Sequence, residues 1–284
     1  MIKTWSTPVS EEKKQSIPCI LCGGTHFREY LKCEGFSYKK CNGCGLILMN
    51  PQPLASEVRK RYTSLYGDDY RDYELENEDN YLELQKLALR DAGFYTIEKQ
   101  LMINGKPAIL DVGCATGALL AWLRERGWET TGLEISPAAD YAKQTRKLDV
   151  SRKSLEEADF PAASFNVILA SHLVEHLNNP DEFIANAGKI LRPGGFLLVS
   201  TPNAGSFQAK IFKNNWRSAI FDHLFLYSKK TIRKHLQKHG FKIRGIYTWG
   251  GLAEGTAPKP LKRLADKSAK IFGFGDVMII KAVK

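Results

Sequence analysis

The fold is decided by one stretch: Ala108-Ile-Leu-Asp-Val112, Gly113-Cys-Ala-Thr-Gly117, Ala118-Leu-Leu-Ala-Trp-Leu-Arg-Glu-Arg126, then Gly127, and after it Glu129-Thr-Thr-Gly-Leu133 closed by Glu134. It reads as strand, turn, helix, strand. Leu119, Leu120 and Leu123 form one helical stripe, and Gly127 stands where a helix ends on a residue of positive φ. Glycines at the turn let the backbone approach a ligand. Glu134, 21 positions after Gly113, closes the second strand, where a carboxylate can accept hydrogen bonds from both hydroxyls of a ribose.

The spacing of the turn discriminates between nucleotides. A dinucleotide fingerprint places glycines at its first, third and sixth positions and aims a helix N-terminus at pyrophosphate. Here the small residues fall at 113, 115 (an alanine) and 117, and Asp111 precedes them. An acid at the strand end repels pyrophosphate and favours a cation such as the ammonium of a methionine moiety.

On these residues the chain resembles the class I S-adenosylmethionine-dependent methyltransferases, whose first motif, acid-x-Gly-x-Gly-x-Gly, is matched by Asp111, Gly113, Ala115 and Gly117 with alanine at the middle glycine. The resemblance runs through most of residues 105–284. It implies an α/β, Rossmann-like, seven-stranded sheet, mostly parallel with the last strand antiparallel, and S-adenosylmethionine as cofactor. It further implies that Asp111 and Gly113 hold the methionine end, Glu134 the ribose and Ile135 one adenine face, with Cys114, Ala115, Gly117, Leu155 and Ser171 as the remaining cofactor contacts. Later segments fit. Ala163–Ala170 reads as strand four, with Asn166 where the family commonly has aspartate. Asn179-Pro-Asp-Glu182 is a capped helix start, and Phe183, Ile184, Ala187, Ile190 and Leu191 mark that helix's buried face. Phe196–Ser200 is strand five, and Phe241–Thr248 and Asp276–Val283 are two further strands paired antiparallel.

In front of this domain four of the six cysteines fall as Cys19-Ile-Leu-Cys22 and Cys41-Asn-Gly-Cys44, the spacing of a structural zinc site. Gly23 and Gly45 follow the second cysteine of each pair and can turn backbone N–H groups toward the sulfurs. Between the pairs, Phe27–Lys40 reads as a hairpin around Glu34-Gly35. A unit of about 50 residues buries little apolar surface, and metal binding would supply its folding free energy. Four thiolates leave no position for water, so the expected Zn²⁺ is structural. The competing reading is a redox-active CxxC, disfavoured because no thioredoxin-like βαβ context surrounds it. Cys33 and His26 lie nearby as alternative ligands.

Three parts follow: a zinc-ribbon-like module over 1–52, a helical linker or lid over 53–102, and the methyltransferase domain over 103–284 with a basic insertion at about 250–275. Asn50-Pro-Gln-Pro53 punctuates the first boundary. The linker carries Tyr62, Tyr66, Tyr70, Tyr73 and Tyr81, which line a pocket or pack helix faces, and Gly67-Asp-Asp69 is expected to divide it into two helices.

The formal charge is +10, which four zinc-bound thiolates would lower to about +8. An anionic partner is compatible with this charge, but no run of five or six like charges appears, so a basic solvated surface is the simpler reading. Residues 256–272 set Lys259, Lys262, Arg263, Lys267 and Lys270 against Leu261, Leu264, Ala265 and Phe272, a basic amphipathic stretch that either caps the last strands or makes at most a peripheral membrane contact. Met1–Trp5 lacks the apolar core of a secretion signal, and a cytoplasmic location is expected.

Ligands bind beyond the carboxyl ends of the strands in such a sheet, so Ser171-His-Leu-Val-Glu-His176, after strand four, should face the transferred methyl. If helical, this stretch puts His172, Glu175 and His176 on one face. The pattern is similar to the Glu-His pair of ubiquinone-biosynthesis O-methyltransferases and small-RNA methyltransferases, where such residues bind a divalent metal; here His172 replaces the first acid, and a divalent metal at Glu175/His176 is a secondary expectation. His223 falls in the loop after strand five, where the family builds its acceptor pocket, and can act as general base. His223, His172 and His176 are therefore the catalytic candidates, each set against a purely structural imidazole. His235 and His239 read as exposed and inert.

The leading function is methyl transfer to a small-molecule, lipid or glycan-intermediate acceptor, at oxygen in preference to carbon or nitrogen. An RNA methyltransferase gripping nucleic acid with its zinc module is the alternative. Against it, the Asn/Asp-Pro-Pro-aromatic motif is absent after strand four and no catalytic cysteine follows strands four or five. A zinc-bearing scaffold without turnover is the third reading. The acceptor and the oligomeric state are left open.

Overall fold

The computed structural model of the chain describes residues 12–65, 67–252 and 258–284; Met1–Trp5, Tyr66, residues 256 and 257 and the Lys259 side chain, singled out above, lie outside the described set. The front of the chain is built from short strands, β1 (Lys14–Gln15), β2 (Phe27–Cys33), β3 (Phe36–Cys41), β4 (Ile47–Met49) and β5 (Gln52–Pro53). β2 and β3 form the expected hairpin, paired from Phe27↔Cys41 to Cys33↔Phe36 around Glu34-Gly35. Three helices follow: α1 (Ala55–Lys60), α2 (Gly67–Asp91) and α3 (Phe94–Met102). Gly67 starts the long helix instead of merely separating two, and the second break falls at Gly93, whose φ of +73 ends α2 and opens α3. Between α1 and α2 the backbone widens into a π-type turn, Arg61–Leu65.

The remainder alternates: β6 (Ala108–Val112), α4 (Ala118–Glu125), β7 (Glu129–Leu133), α5 (Ala138–Gln144), β8 (Val150–Ser151), β9 (Phe165–Ser171), α6 (Pro180–Ile190), β10 (Leu191–Pro202), α7 (Phe207–Phe212), β11 (Phe225–Leu226), α8 (Lys229–Lys238), β12 (Lys242–Trp249), α9 (Lys259–Phe272) and β13 (Val277–Val283). Seven of these strands make one sheet in the order β12-β13-β10-β9-β6-β7-β8. β13 runs antiparallel to both its neighbours and the pairs from β10 to β8 are parallel, which is the expected Rossmann-like methyltransferase sheet. Neighbouring residues of a strand point to opposite faces. Thus Leu110, Ile168, Leu197 and Val199 join one core, while Ile109, Val167, Leu169 and Leu198 join the other beneath α3 and α4. Where the family commonly has aspartate, Asn166 Oδ1 accepts from Ala108 N at 2.9 Å and Arg192 Nη1 at 3.0 Å, so the oxygen serves as acceptor in amide form.

The front strands share a core with the main sheet. β11, which belongs to the loop after β10, pairs antiparallel with β4 and extends the small sheet to β11-β4-β3-β2. Met49 N donates to Leu224 O at 2.8 Å. The buried Tyr38 hydroxyl lies 2.7 Å from the carbonyls of both Ile220 and His223. Cys19, Tyr38, Leu48 and Met49 consequently belong to the same buried cluster as Phe221, Phe225 and Tyr227.

At the start of α4, Gly117 adopts φ +77, and a Cβ there would lie 2.6 Å from Leu148 Cδ1 and 3.1 Å from Ala142 Cβ. Ala115 occupies the left-handed region at φ +46. Gly117→Ala is therefore expected to lower the thermal midpoint of the ligand-free protein through about 1–3 kcal/mol of combined backbone and packing strain, whereas Ala115→Gly should leave it unchanged or raise it. Thermal unfolding followed by circular dichroism reads both.

Candidate active site

The glycine turn after β6 is folded back on β7 by two backbone bonds, Gly113 N and Cys114 N to Leu133 O at 2.7 and 3.1 Å. Glu134 is thereby brought against the turn. Its Oε2 accepts from Ala115 N at 3.1 Å and its Oε1 from Ser136 N at 2.8 Å. These bonds hold the carboxylate in one orientation and leave lone pairs on both oxygens. Asp111, at the end of β6, is 2 % exposed, and its Oδ1 is a buried oxygen without a hydrogen-bond partner. Burial pushes its carboxyl up to about 7, and the nearby Glu134 charge adds to the shift. Ile135 is half-buried beside this turn and Leu155 is buried.

Helix α2 adds residues without an assigned role in the sequence. Glu78 Oε2 accepts from Thr116 Oγ1 at 2.6 Å, and its other oxygen is paired with Arg146, whose Nε donates to Thr116 O at 3.0 Å. One turn earlier, burial raises Glu74 to about 7; a Tyr70 hydrogen bond opposes this and Glu134 repulsion reinforces it. Glu134 thus raises both Asp111 and Glu74, while His172 acts on Glu74 in the opposite sense. The signal was present as Tyr70, Glu74 and Glu78 at i, i+4 and i+8, one face of a helix.

Beyond β9 the segment 172–178 is a turn and not the helix entertained above. His172 has φ +50 and its N–H donates to Ser200 O at 2.9 Å, which ties the turn to the end of β10. The turn still joins the expected residues. His172 Nδ1 lies 3.2 Å from Glu175 Oε1 with nearly half of the histidine side chain exposed, and Thr201 Oγ1 donates to Glu175 Oε2 at 2.9 Å. Tyr62 of the π-type turn places its hydroxyl 3.0 Å from His176 Nδ1 and packs edge-on against Tyr70. His223 arrives from the distant loop with its ring centroid 4.7 Å from that of His176. One ligand atom each from Glu175, His176 and His223 lies within 4.8 Å of the others. Ser171, at the end of β9, is half-buried and leads into this turn.

The protonation states follow from this geometry. His223 Nδ1 donates to Ser218 O at 2.8 Å, so in the neutral ring Nε2 carries the lone pair. Burial, reinforced by His176, lowers His223 to about 4, and burial lowers His176 as well. Glu175 is also opposed by burial, but the His172 hydrogen bond and the three nearby imidazoles bring it down to about 2. Near neutral pH the centre is two neutral imidazoles and one carboxylate, a set able to take up a proton or to offer nitrogen and oxygen donors to a divalent cation.

His235 and His239 differ from expectation. His235 is buried, with Nδ1 3.1 Å from the Tyr227 hydroxyl and Nε2 3.1 Å from Asp181 Oδ1; His239 Nε2 is 2.6 Å from the same oxygen and Lys238 Nζ 2.8 Å. This cluster ties α8 to the start of α6. The apolar positions of α8 were too few to reveal that its histidines face inward.

In the front unit, Cys19 Sγ and Cys44 Sγ are 3.4 Å apart, Cys22 Sγ and Cys41 Sγ 3.5 Å, and all four are free thiols within 4.8 Å of one another. Backbone N–H groups of Leu21 and Cys22 point at Cys19 Sγ, and those of Gly43 and Cys44 at Cys41 Sγ. Gly23 and Gly45 take φ of +71 and +83.

Comparison with known proteins agrees with the turn. A methyltransferase-domain family model matches residues 77–245, more than half of the chain. A ubiquinone biosynthesis O-methyltransferase of Coxiella burnetii is 32% identical over 122 residues, covering 41% of this chain and 51% of that protein. Its namesake in Rickettsia conorii is 31% identical over 112 residues, covering 37% and 38%. The chain therefore spans about half the length, or less, of these curated relatives. A SAM-dependent methyltransferase structure from Archaeoglobus fulgidus superposes with a TM-score of 0.55 at 22% identity, over 75% of this chain and 99% of that one, which speaks to the fold alone. The acid-and-glycine turn, the sheet order and the family match lead to one assignment: the chain belongs to the class I S-adenosylmethionine-dependent methyltransferases.

Proposed function

We propose that the protein transfers the methyl group of S-adenosylmethionine to a hydroxyl of a small-molecule, lipid or glycan-intermediate acceptor. The observation that carries this reading is the buried, unpartnered Asp111 Oδ1 beside Glu134. An isolated carboxylate kept from water needs a positive partner, and a nucleoside bearing a sulfonium and an ammonium group supplies one where a pyrophosphate would be repelled. Asp111 and Gly113 hold the methionine end, Glu134 accepts from the ribose hydroxyls, Ile135 and Leu155 flank the adenine, and Ala115, Gly117 and Ser171 line the approach with the Cys114 backbone, the Cys114 thiol being packed instead into the core with Leu120 and Leu148. The chemistry of these residues fits the cofactor, and the bound sulfonium supplies the electrophilic methyl.

The chain's own task is alignment in a dry site and care of one proton. Tyr62, Tyr70 and α2 cover the pocket and keep water out. The acceptor hydroxyl approaches His223 Nε2, which the Ser218 carbonyl leaves free to accept; the Glu175 carboxylate stabilises the imidazolium that results, and His172 and Thr201 position Glu175. A second reading is favoured by the convergence of Glu175, His176 and His223 on one point. A divalent ion held there would lower the pKa of an acceptor hydroxyl, and neutral imidazoles with an ionised carboxylate are a suitable donor set. Among the described residues, nothing in the turn or α2 favours nucleic acid over a small acceptor.

The front unit fits a structural Zn²⁺ in zinc-ribbon-like surroundings. A tetrahedron with Zn–S of 2.3 Å has edges of about 3.8 Å, close to the 3.4 and 3.5 Å separations of its sulfur pairs. Its further role is to hold the loop carrying His223, through β4–β11 pairing and the Tyr38 hydroxyl.

His223→Ala is expected to lower methyl transfer from tritiated S-adenosylmethionine to a panel of phenols and catechols by about 10²–10⁴, with cofactor affinity nearly unchanged; equal loss of both would reduce His223 to a structural role. If the ion is required, dialysis against EDTA abolishes transfer and added Mg²⁺ or Mn²⁺, hard ions unsuited to four thiolates, restores it. Elemental analysis should find about one zinc per chain, lost in Cys41→Ser together with turnover while cofactor affinity is largely kept; a zinc-free wild type would contradict the structural site.

A further inference from the structure

Seven of the ten exposed large hydrophobic residues among those described lie on two short helices. On α7, Phe207, Ile211 and Phe212 are 48, 54 and 42 % exposed; on α9, Leu261, Leu264, Ile271 and Phe272 are 53, 62, 66 and 73 % exposed. Isolated surface apolar residues are ordinary, but a contiguous patch marks an interaction site. Phe274 links the two sets. Phe207 N donates to Phe274 O at 3.1 Å, the Phe207 and Phe274 rings are 6.3 Å apart, and the Phe272 and Phe274 rings stack at 6.4 Å.

The arrangement on α9 is specific. At 100° per residue, Leu261, Leu264, Ile271 and Phe272 fall on one side. The face packed against the protein is a different one, centred on the buried Ala269, whose carbonyl accepts from Thr248 Oγ1 at 2.8 Å. Arg263 and Lys267 are exposed on the far flank of the apolar stripe, and Lys210 and Lys213 are exposed beside the apolar side chains of α7. Between 207 and 217 there is no acid, and between 258 and 275 the single acid, Asp266, is taken by Lys262 at 2.7 Å and by Gly251 N at 2.8 Å. The patch is firmly mounted: Ser206, the N-cap of α7, donates to the buried Asp276 Oδ1 at 3.1 Å, and Trp216 Nε1 donates to the same oxygen at 2.6 Å.

We propose that the joint face of α7 and α9 seats on an anionic lipid bilayer, with the aromatic and aliphatic side chains in the interfacial layer and Arg263, Lys267, Lys210 and Lys213 against lipid phosphates. A helix with an apolar stripe bordered by cations lies in the plane of such an interface. A second copy of the chain fits poorly, because self-association would oppose two rims of the same sign. A nucleic acid would satisfy the cations and leave seven apolar side chains in water. α7 leaves the carboxyl end of β10, and α9 leads into the start of the antiparallel β13, so the patch stands at the same end of the sheet as Ser171 and Glu175. An acceptor drawn from the membrane would therefore approach the site from the docked side; this consequence rests on the function proposed above, whereas the docking itself does not.

The test is flotation of the full chain with vesicles of phosphatidylcholine alone or with three parts in ten phosphatidylglycerol, at low and physiological salt. The wild type is expected to float with the anionic vesicles, less so at higher salt, and not with phosphatidylcholine alone. Arg263→Gln/Lys267→Gln should weaken this by roughly thirtyfold, from about 1 kcal/mol for each cation, and Ile271→Ser/Phe272→Ser by tenfold or more, both with unchanged thermal midpoints. Absence of flotation, or flotation indifferent to both double variants, overturns the proposal. So does a dimer in sedimentation velocity that Ile271→Ser/Phe272→Ser splits without any vesicle capture, or capture of polyuridylate in place of vesicles. Vesicle binding by a protein that fails to bind S-adenosylmethionine would leave the docking surface standing and sink the methyltransferase function alone.

Discussion

A carboxylate shut away from water without a partner is expensive, and the site is organised around one. Asp111 sits 2 % exposed at the end of a central strand, with Glu134 close enough to push its titration upward, and Glu134 acts in the same way on Glu74 of α2. In the free protein burial is met by holding a proton on the carboxyl, and a cationic ligand that pairs with the ionised form takes that proton's place. The surrounding features then have reasons. The glycine turn must bend tightly so that Ala115 N can fix Glu134, α2 must lie across the turn so that Glu78 can hold Thr116, and the space between must accept a cation-bearing nucleoside.

The cluster of Glu175, His176 and His223 is held in part from outside the sheet. His223 is far in sequence from His172 and Glu175, and its loop has only short secondary structure of its own. It is held by the cysteine-bearing unit, through one strand pairing and a tyrosine hydroxyl, and by Arg61, which pairs with Asp222 at 2.8 Å and lies over the Phe221 ring. A small unit that cannot build a large core of its own thus joins the core of the larger one and stiffens its most mobile type of element, a long loop. The front unit and the Glu175–His223 cluster are joined through this loop.

The sheet was legible because its signals are local: glycines at fixed offsets after an apolar run, a capped helix at Asn179, and alternation of polar and apolar residues. The turn residues Asp111, Gly113 and Glu134 were legible for the same reason. The pairing of β11 with β4 was not, because two residues of strand between long stretches of chain carry no periodicity. Glu74 and Glu78 were missed because a carboxylate on a helix ordinarily faces solvent, and only the tertiary placement of α2 turns these inward. His172, Glu175 and His176 were grouped correctly by spacing but through the wrong local structure: the positive φ of His172 makes a turn, which a helical wheel cannot anticipate. His235 was misread in the opposite sense, since its burial depends on a partner, Asp181, contributed by another helix.

The most direct test is calorimetric titration of S-adenosylmethionine into the purified protein between pH 6 and 8.5, in buffers of different ionisation enthalpy. Asp111 and Glu74 hold protons up to about pH 7 in the free protein, and a cation binds their ionised forms, so binding below that pH must expel protons and affinity must rise as pH rises through it. The expected result is binding whose affinity climbs across this window with proton release on its acid side, weakened and flattened in Asp111→Asn, with no heat from NADH. Absence of binding, an affinity indifferent to pH and to Asp111→Asn, or occupation of the turn by NADH would contradict it.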